Sequence, residues 1–210
     1  MKLILRSLVF VFIISVFWSC NNSAKESREG KNEISKNQSF VIDDSGITVA
    51  WTAYKFTDKI AVTGTFDDYS IKKHSKSGSV ENLLTKLRIS IPTHSVDAMN
   101  AIRDFKLRSS FFDAFNTSTI NGTILKVNES KGFVRVKMNK ISKNIPFTYS
   151  LVNDTISIFT KLDLKKWKGE EALSRIEREC VEHLKGADGI SKLWPEIDVE
   201  IKIPLRNTNN

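Results

Sequence analysis

The stretch His94-Ser-Val-Asp-Ala-Met-Asn-Ala-Ile-Arg-Asp-Phe-Lys-Leu-Arg-Ser-Ser-Phe-Phe-Asp-Ala-Phe115, running on into Ile120-Asn-Gly-Thr-Ile-Leu125, decides the fold. A short strand at its start hands over to a segment in which Met99, Ile102, Phe105, Ser109 and Phe112 recur at helical spacing. Arg103, Asp104, Lys106 and Arg108 are left on other faces, and strand character returns near residue 118. One helix therefore sits among strands.

Working outward, period-two alternation runs through most of the chain. It is clearest at the C-terminus, where Ile197, Val199, Ile201, Ile203 and Leu205 alternate with Asp198, Glu200, Lys202 and Pro204, giving a dry face and a wet one. Leu87, Ile89 and Ile91 repeat the pattern, as do Val134, Val136 and Met138. The expected strands are 47–56, 60–71, 82–91, 118–127, 131–140, 143–152, 154–162 and 196–205, punctuated by Gly46, Asp58-Lys59, Lys131-Gly132 and Asn153-Asp154. A second helix is expected at Glu170 to Leu184, with Leu173, Ile176, Cys180 and Leu184 on one stripe. This order predicts an all-β fold: a single antiparallel, lipocalin-like barrel of about eight strands with one or two short helices, whose closure removes exposed edges. Such a barrel is just wide enough to fill with side chains or to hold one slender ligand, and patterning alone does not choose.

The segment Ser95-Val96-Asp97, followed by Arg103-Asp104 and Leu107-Arg108-Ser109-Ser110-Phe111-Phe112-Asp113, resembles the YceI family of secreted, lipid-binding barrels. Val49-Ala-Trp-Thr-Ala-Tyr-Lys-Phe56 with Val62-Thr-Gly-Thr-Phe66 is similar to the family's opening hairpin, and Trp194-Pro-Glu-Ile-Asp-Val-Glu-Ile-Lys-Ile-Pro204 to its closing strand. Arg178 to Pro195 resembles a variant found in lipoprotein members. The chain departs from the family pattern at Asn100-Ala101, where many relatives carry glycine or proline. The resemblance implies a long apolar tunnel that takes a polyisoprenoid or related lipid chain.

At the N-terminus, Lys2 and Arg6 precede an apolar run from Leu8 to Trp18, closed by Ser19-Cys20, which is the plan of a bacterial export signal. The run is shorter than the ~20 apolar residues that a membrane span needs. A small residue before cysteine resembles a lipobox, so residues 1–19 are expected to be a lipoprotein signal peptide, Cys20 the lipid attachment site and residues 20–39 a polar tether to a domain at 40–206. The protein is expected in the cell envelope, membrane-anchored and facing the periplasm. With Cys20 acylated, Cys180 has no disulfide partner, so the fold rests on its core; Cys180 itself suits a packed small hydrophobe better than a redox centre.

Thirteen phenylalanines suit an apolar interior that needs large, flat side chains. The formal charge of +8 falls to +6 once Lys2 and Arg6 are removed, thirty bases remaining against twenty-four acids. In an exported protein that excess points to solvated surface or anionic lipid head groups rather than nucleic acid.

Trp51, Phe66, Phe112, Phe115 and Phe147 are the candidates for lining a tunnel, with plain core as the alternative for each. Arg103 and Asp104 are candidates for head-group contacts or for pinning the helix through other elements, since adjacent helical residues do not face each other. His74, His94 and His183 show no metal-ligand spacing, and no nucleophile elbow, phosphate loop or dinucleotide fingerprint occurs. No catalytic residue, metal or cofactor is expected. Two function classes remain: a tethered barrel binding or shuttling an apolar lipid such as a polyisoprenoid, isoprenoid quinone or fatty-acyl chain, and a non-enzymatic interaction or stress-protective envelope module with a filled barrel.

Overall fold

The computed structural model describes residues 38–208; the expected signal segment, Cys20 and the tether up to Asn37 lie outside the described residues. In chain order the elements are β1 (Phe40–Ile42), β2 (Thr48–Lys55), β3 (Ile60–Phe66), β4 (Ser70–Lys72), α1 (Val80–Leu84), β5 (Arg88–Pro92) and β6 (Val96–Asp97). Then come α2 (Ala101–Lys106), prolonged by a π-helical turn (Leu107–Phe112), β7 (Thr119–Asn128), β8 (Lys131–Met138), β9 (Ile141–Val152), β10 (Thr155–Asp163), α3 (Glu170–Glu179), α4 (Val181–Leu184) and β11 (Glu196–Asn207).

The strands follow the order β4-β5-β7-β8-β9-β10-β11-β2-β3-β6, each pair antiparallel. β3 runs on into β4 across Asp67–Tyr69, and β5 into β6 across Thr93–Ser95. Because β3 pairs with β6 and β4 with β5, these two interrupted strands lie side by side. Asp67 N–H donates to Ser95 O across the gap (3.0 Å), so the pairing returns to its start. The eleven segments thus make the eight strands of a barrel, two of them broken once, with β1 added against the end of β11.

Local chemistry accounts for the breaks and turns. Pro92 has no N–H to give the ladder, so β5 ends there. Glu129-Ser130, Asn139-Lys140 and Asn153-Asp154 all have positive φ at both positions, the two-residue hairpin geometry whose twist matches the flanking strands. The turn expected at Lys131-Gly132 thus falls two residues earlier, and Gly132 lies within β8, where a Cβ would come within 2.4 Å of the Phe147 ring. The strand expected at 82–91 begins only at Arg88. Val80, Leu83, Leu84 and Leu87 carry helical spacing, and Ser79 caps α1 by accepting from Asn82 N–H at 3.3 Å. The expected helix at 170–184 is split at Cys180 into α3 and α4.

Two core clusters divide the barrel along its strands. One packs α1 and β1 against Phe147, Tyr149, Ile156, Ile158, Ile203 and Leu205 and fills that half of the interior. The other gathers Phe111, Phe112, Phe115, Met138, Leu162 and Trp167 with α3. The chain enters the barrel at the filled half, where Ile42 faces Leu205. Among the described residues, the strand pairings and both cores fall within residues 40–207, which thus carry a hydrophobic core of their own, as a segment that folds by itself needs.

Candidate functional site

Above the second cluster the barrel is hollow, with a cavity of about 610 Å³. Its walls come from inward positions of the strands: Trp51 of β2, Val62 and Phe66 of β3, Ile120 of β7, Met138 of β8, Leu162 of β10, and Ile197 and Val199 of β11. Leu107, Phe111, Phe112 and Phe115 of the helical segment cover it on one side, and Leu173, Ile176 and Cys180 of α3 and its end on another. On β11 the lining stops at Val199, while Ile203 and Leu205 belong to the filled core. From Trp194 to Val199 the lining runs about 17 Å along the tilted strand at about 3.3 Å per residue, about 13 Å of depth along the barrel axis at a tilt of ~40°, and it ends on the filled core.

The π-helical turn sets this lining. Its extra residue shifts the phase of the helix, so Phe105 does not share the face of Phe112, while Ile102 reaches only the rim of the cavity. Ile102 and Phe105 are 71% and 68% exposed, whereas Phe112 is 9% exposed. Phe111, Phe112 and Phe115 turn inward as an aromatic group with ring centroids 5.0 and 5.5 Å apart, and Phe66 meets Phe112 at 6.3 Å. Across the barrel, Gly64 lets the Trp51 indole lie against β3: a Cβ there would fall 2.3 Å from the ring. The indole N–H donates to Thr65 O at 3.1 Å, so the one polar atom of this wall is satisfied.

Polar groups gather at the mouth: Tyr54, Lys55, Asn100, Arg103, Lys106 and His183. Tyr54 donates to the Asp198 carboxylate, which holds its phenol above the usual range. Lys106 Nζ donates to Glu179 O at 2.7 Å, and Ser110 donates to the Glu179 carboxylate, tying the helical cover to α3. That hydrogen bond, followed by one from Arg175, holds Glu179 below its ordinary range. Lys59 and Lys192 sit 3.9 and 3.8 Å from the Trp194 ring, clasping the indole between two cations.

Of the residues expected to face a tunnel, Trp51, Phe66, Phe112 and Phe115 all line the cavity. Phe147 does not: it is 3% exposed, lies in the filled cluster and stacks near Tyr149 at 6.3 Å, because β9 has passed into the other half of the barrel by that residue. Arg103 reaches the mouth, yet its Nη1 donates to Ala98 O at 3.2 Å. Asp104 is buried and accepts from Ala98 N–H at 2.7 Å. The pair holds the backbone of Ala98 at the strand-to-helix junction by its N–H and by its C=O, the two peptides that flank its Cα, which places Asp104 in a pinning position. Sequence reasoning missed Phe111, Leu193 and Trp194 as lining residues. For Ile197, Val199, Leu173 and Ile176 the periodic signal was present but assigned a face only.

The arrangement is a dry, blind pocket with hydrogen-bonding groups confined to its entrance, suited to enclosing an apolar chain. Among the described residues, no three His, Cys, Asp or Glu side chains gather as a metal site. Fold and cavity together define a lipocalin-like barrel.

Residues 40–205 match the YceI-like domain, and the chain belongs to that family. Among solved structures it is similar to a polyisoprenoid-binding domain from Saccharophagus degradans, with 10% identity over 80% of this chain and 98% of that one and a TM-score of 0.57. It is also similar to BcnA from Burkholderia cenocepacia, with 10% identity over 79% and 99% of the two chains and a TM-score of 0.53. No curated protein matches the sequence.

Proposed function

We propose that this protein is an exported envelope lipoprotein, anchored through Cys20, that carries the apolar chain of an isoprenoid or acyl lipid in its barrel without catalysis. The observation that carries the reading is the blind, apolar cavity of about 610 Å³ with charges only at its mouth. Its volume falls inside the ~300–1,000 Å³ range of small-molecule sites. A depth of about 13 Å is close to one leaflet's share of a bilayer core ~30 Å thick, so a lipid tail fits while its head stays at Tyr54, Lys55 and Lys106. Each buried methylene contributes about 0.8 kcal/mol, so ten offer about 8 kcal/mol before ordering costs. The fold is shared with a polyisoprenoid-binding domain, which supports an isoprenoid as the ligand. The open half of the barrel weighs against a filled interaction module.

Native mass spectrometry of residues 33–210 produced in bacteria tests this. A bound apolar species that organic extraction removes is the expected result; a ligand-free mass under gentle conditions counts against the carrier.

A further inference from the structure

The helical segment that covers the cavity turns a second apolar surface outward. Met99, Ile102 and Phe105, large side chains just before and on α2, are 81%, 71% and 68% exposed, with nothing covering them among the described residues. Ile102 also lines the cavity, so this patch is continuous with the mouth. Ile60, 49% exposed, stands on the β2–β3 hairpin opposite Lys55 of the mouth. The surrounding charge is basic: Lys55, Arg103 and Lys106 line the mouth, and Lys59 and Lys192 flank Trp194 beside it. Lys55, Arg103 and Lys192 form no ion pair among the described residues; of the nearby acids Glu196 is paired with Lys59 at 3.6 Å, whereas Asp188, which accepts from Thr57 at 2.6 Å, keeps its negative charge.

We propose that this rim docks on the surface of an anionic lipid bilayer, bringing the cavity mouth against the hydrocarbon. The proposal rests on the carrier reading for its purpose. Large apolar side chains ringed by lysine and arginine match an interfacial membrane: the former enter the acyl boundary and the latter meet anionic head groups. A second copy of the chain fits less well, since a two-fold contact would bring the same cations face to face. Docking also removes a kinetic obstacle, because a lipid tail leaving a bilayer through water exposes its methylenes, whereas a mouth seated on the surface does not expose them.

The anchor geometry permits this. The chain joins the barrel at the filled end; Trp194 to Leu205 measures about 36 Å along the chain, about 28 Å along the barrel axis at a strand tilt of ~40°. Residues 21–39 reach about 65 Å when fully extended, enough to pass the barrel's length.

The test is flotation of residues 33–210, lacking the anchor, with vesicles of phosphatidylglycerol and phosphatidylcholine in equal parts, beside vesicles of phosphatidylcholine alone. The wild type is expected to float with the anionic vesicles, less with the neutral ones, and less as salt rises. The double variant Met99→Ser/Phe105→Ser changes exposed side chains that do not line the cavity, so its melting temperature and its uptake of an apolar dye should match the wild type. Its partition onto anionic vesicles is expected to fall roughly ten- to a hundredfold. Wild-type flotation by this variant, or no flotation of the wild type, overturns the proposal. So does a dimer in solution that the variant abolishes while vesicles capture neither protein. A protein that floats yet takes up no dye sinks the carrier reading and leaves the docking surface standing.

Discussion

Placing a tryptophan at Ile197 should close the lower part of the cavity without disturbing the barrel. Ile197 lines the cavity two residues above Val199, where the lining on β11 ends. Two residues of strand correspond to about 7 Å of a lining that runs about 17 Å along the strand, so an indole crossing the cavity there removes about two-fifths of its length. A tail that buries about ten methylenes would lose about four. At about 0.8 kcal/mol each the loss is about 3 kcal/mol, on the order of a hundredfold in affinity. The added ring enters empty space rather than packed core, so the melting temperature of Ile197→Trp should stay level or rise, in contrast to the penalty for overpacking a filled interior. The assay is displacement of a fluorescent anilinonaphthalene dye by an isoprenoid alcohol, with thermal unfolding measured on the same samples. Wild-type affinity in a well-folded Ile197→Trp protein would refute the reasoning. So would loss of binding in Phe133→Ser, which alters the shallow groove outside the barrel formed by Phe133, Pro146 and Phe159.

Three further outcomes follow from the geometry. Asp104→Ala strands the buried Ala98 N–H and should cost about 1–3 kcal/mol by denaturant unfolding, whereas a head-group role for Asp104 would show in ligand affinity with stability unchanged. Gly64→Ala forces the Trp51 ring away from β3, so the indole fluorescence should shift and dye affinity should drop; an unchanged spectrum would contradict the close approach. Tyr149 is pushed up to about 12 by burial and then by its hydroxyl donating to Glu81 at 2.9 Å. Because the folded value lies above the ordinary 10.0, its contribution to stability is complete below pH 10 and is lost as pH rises from there towards 12. Tyr149→Phe should therefore flatten the alkaline fall in stability while costing about 1 kcal/mol at neutral pH, checked by urea unfolding across that range.

The alternation of Ile197, Val199, Ile201, Ile203 and Leu205 was enough to place β11 and its buried face, because side chains of a strand point to opposite sides at every step. The same reasoning located most of the other barrel strands and the helix before β7 but not β1 (Phe40–Ile42), and the Asn153-Asp154 turn followed from residues that tolerate positive φ. Two breaks were invisible because they depend on how β3–β4 and β5–β6 lie against each other rather than on either segment alone. The short helix α1 was hidden for a different reason: a five-residue apolar run carries too few repeats to separate helix from strand.

From the chain alone came the closed antiparallel sheet, the aromatic excess, and Trp51, Phe66, Phe112 and Phe115 as inward-facing candidates. Only the tertiary structure decided that the barrel is filled at one end and hollow at the other. Phe147 and Val199 obey the same period-two rule, yet one packs against Tyr149 and the other borders empty space. Period assigns a side of the sheet, but whether that side is occupied depends on what the remaining strands and the covering helices bring to the same depth. The π-helical turn makes the point on a smaller scale: one extra residue rotates Phe111 and Phe112 inward and leaves Phe105 in water, a change of phase that no spacing count over Met99 to Phe112 contains.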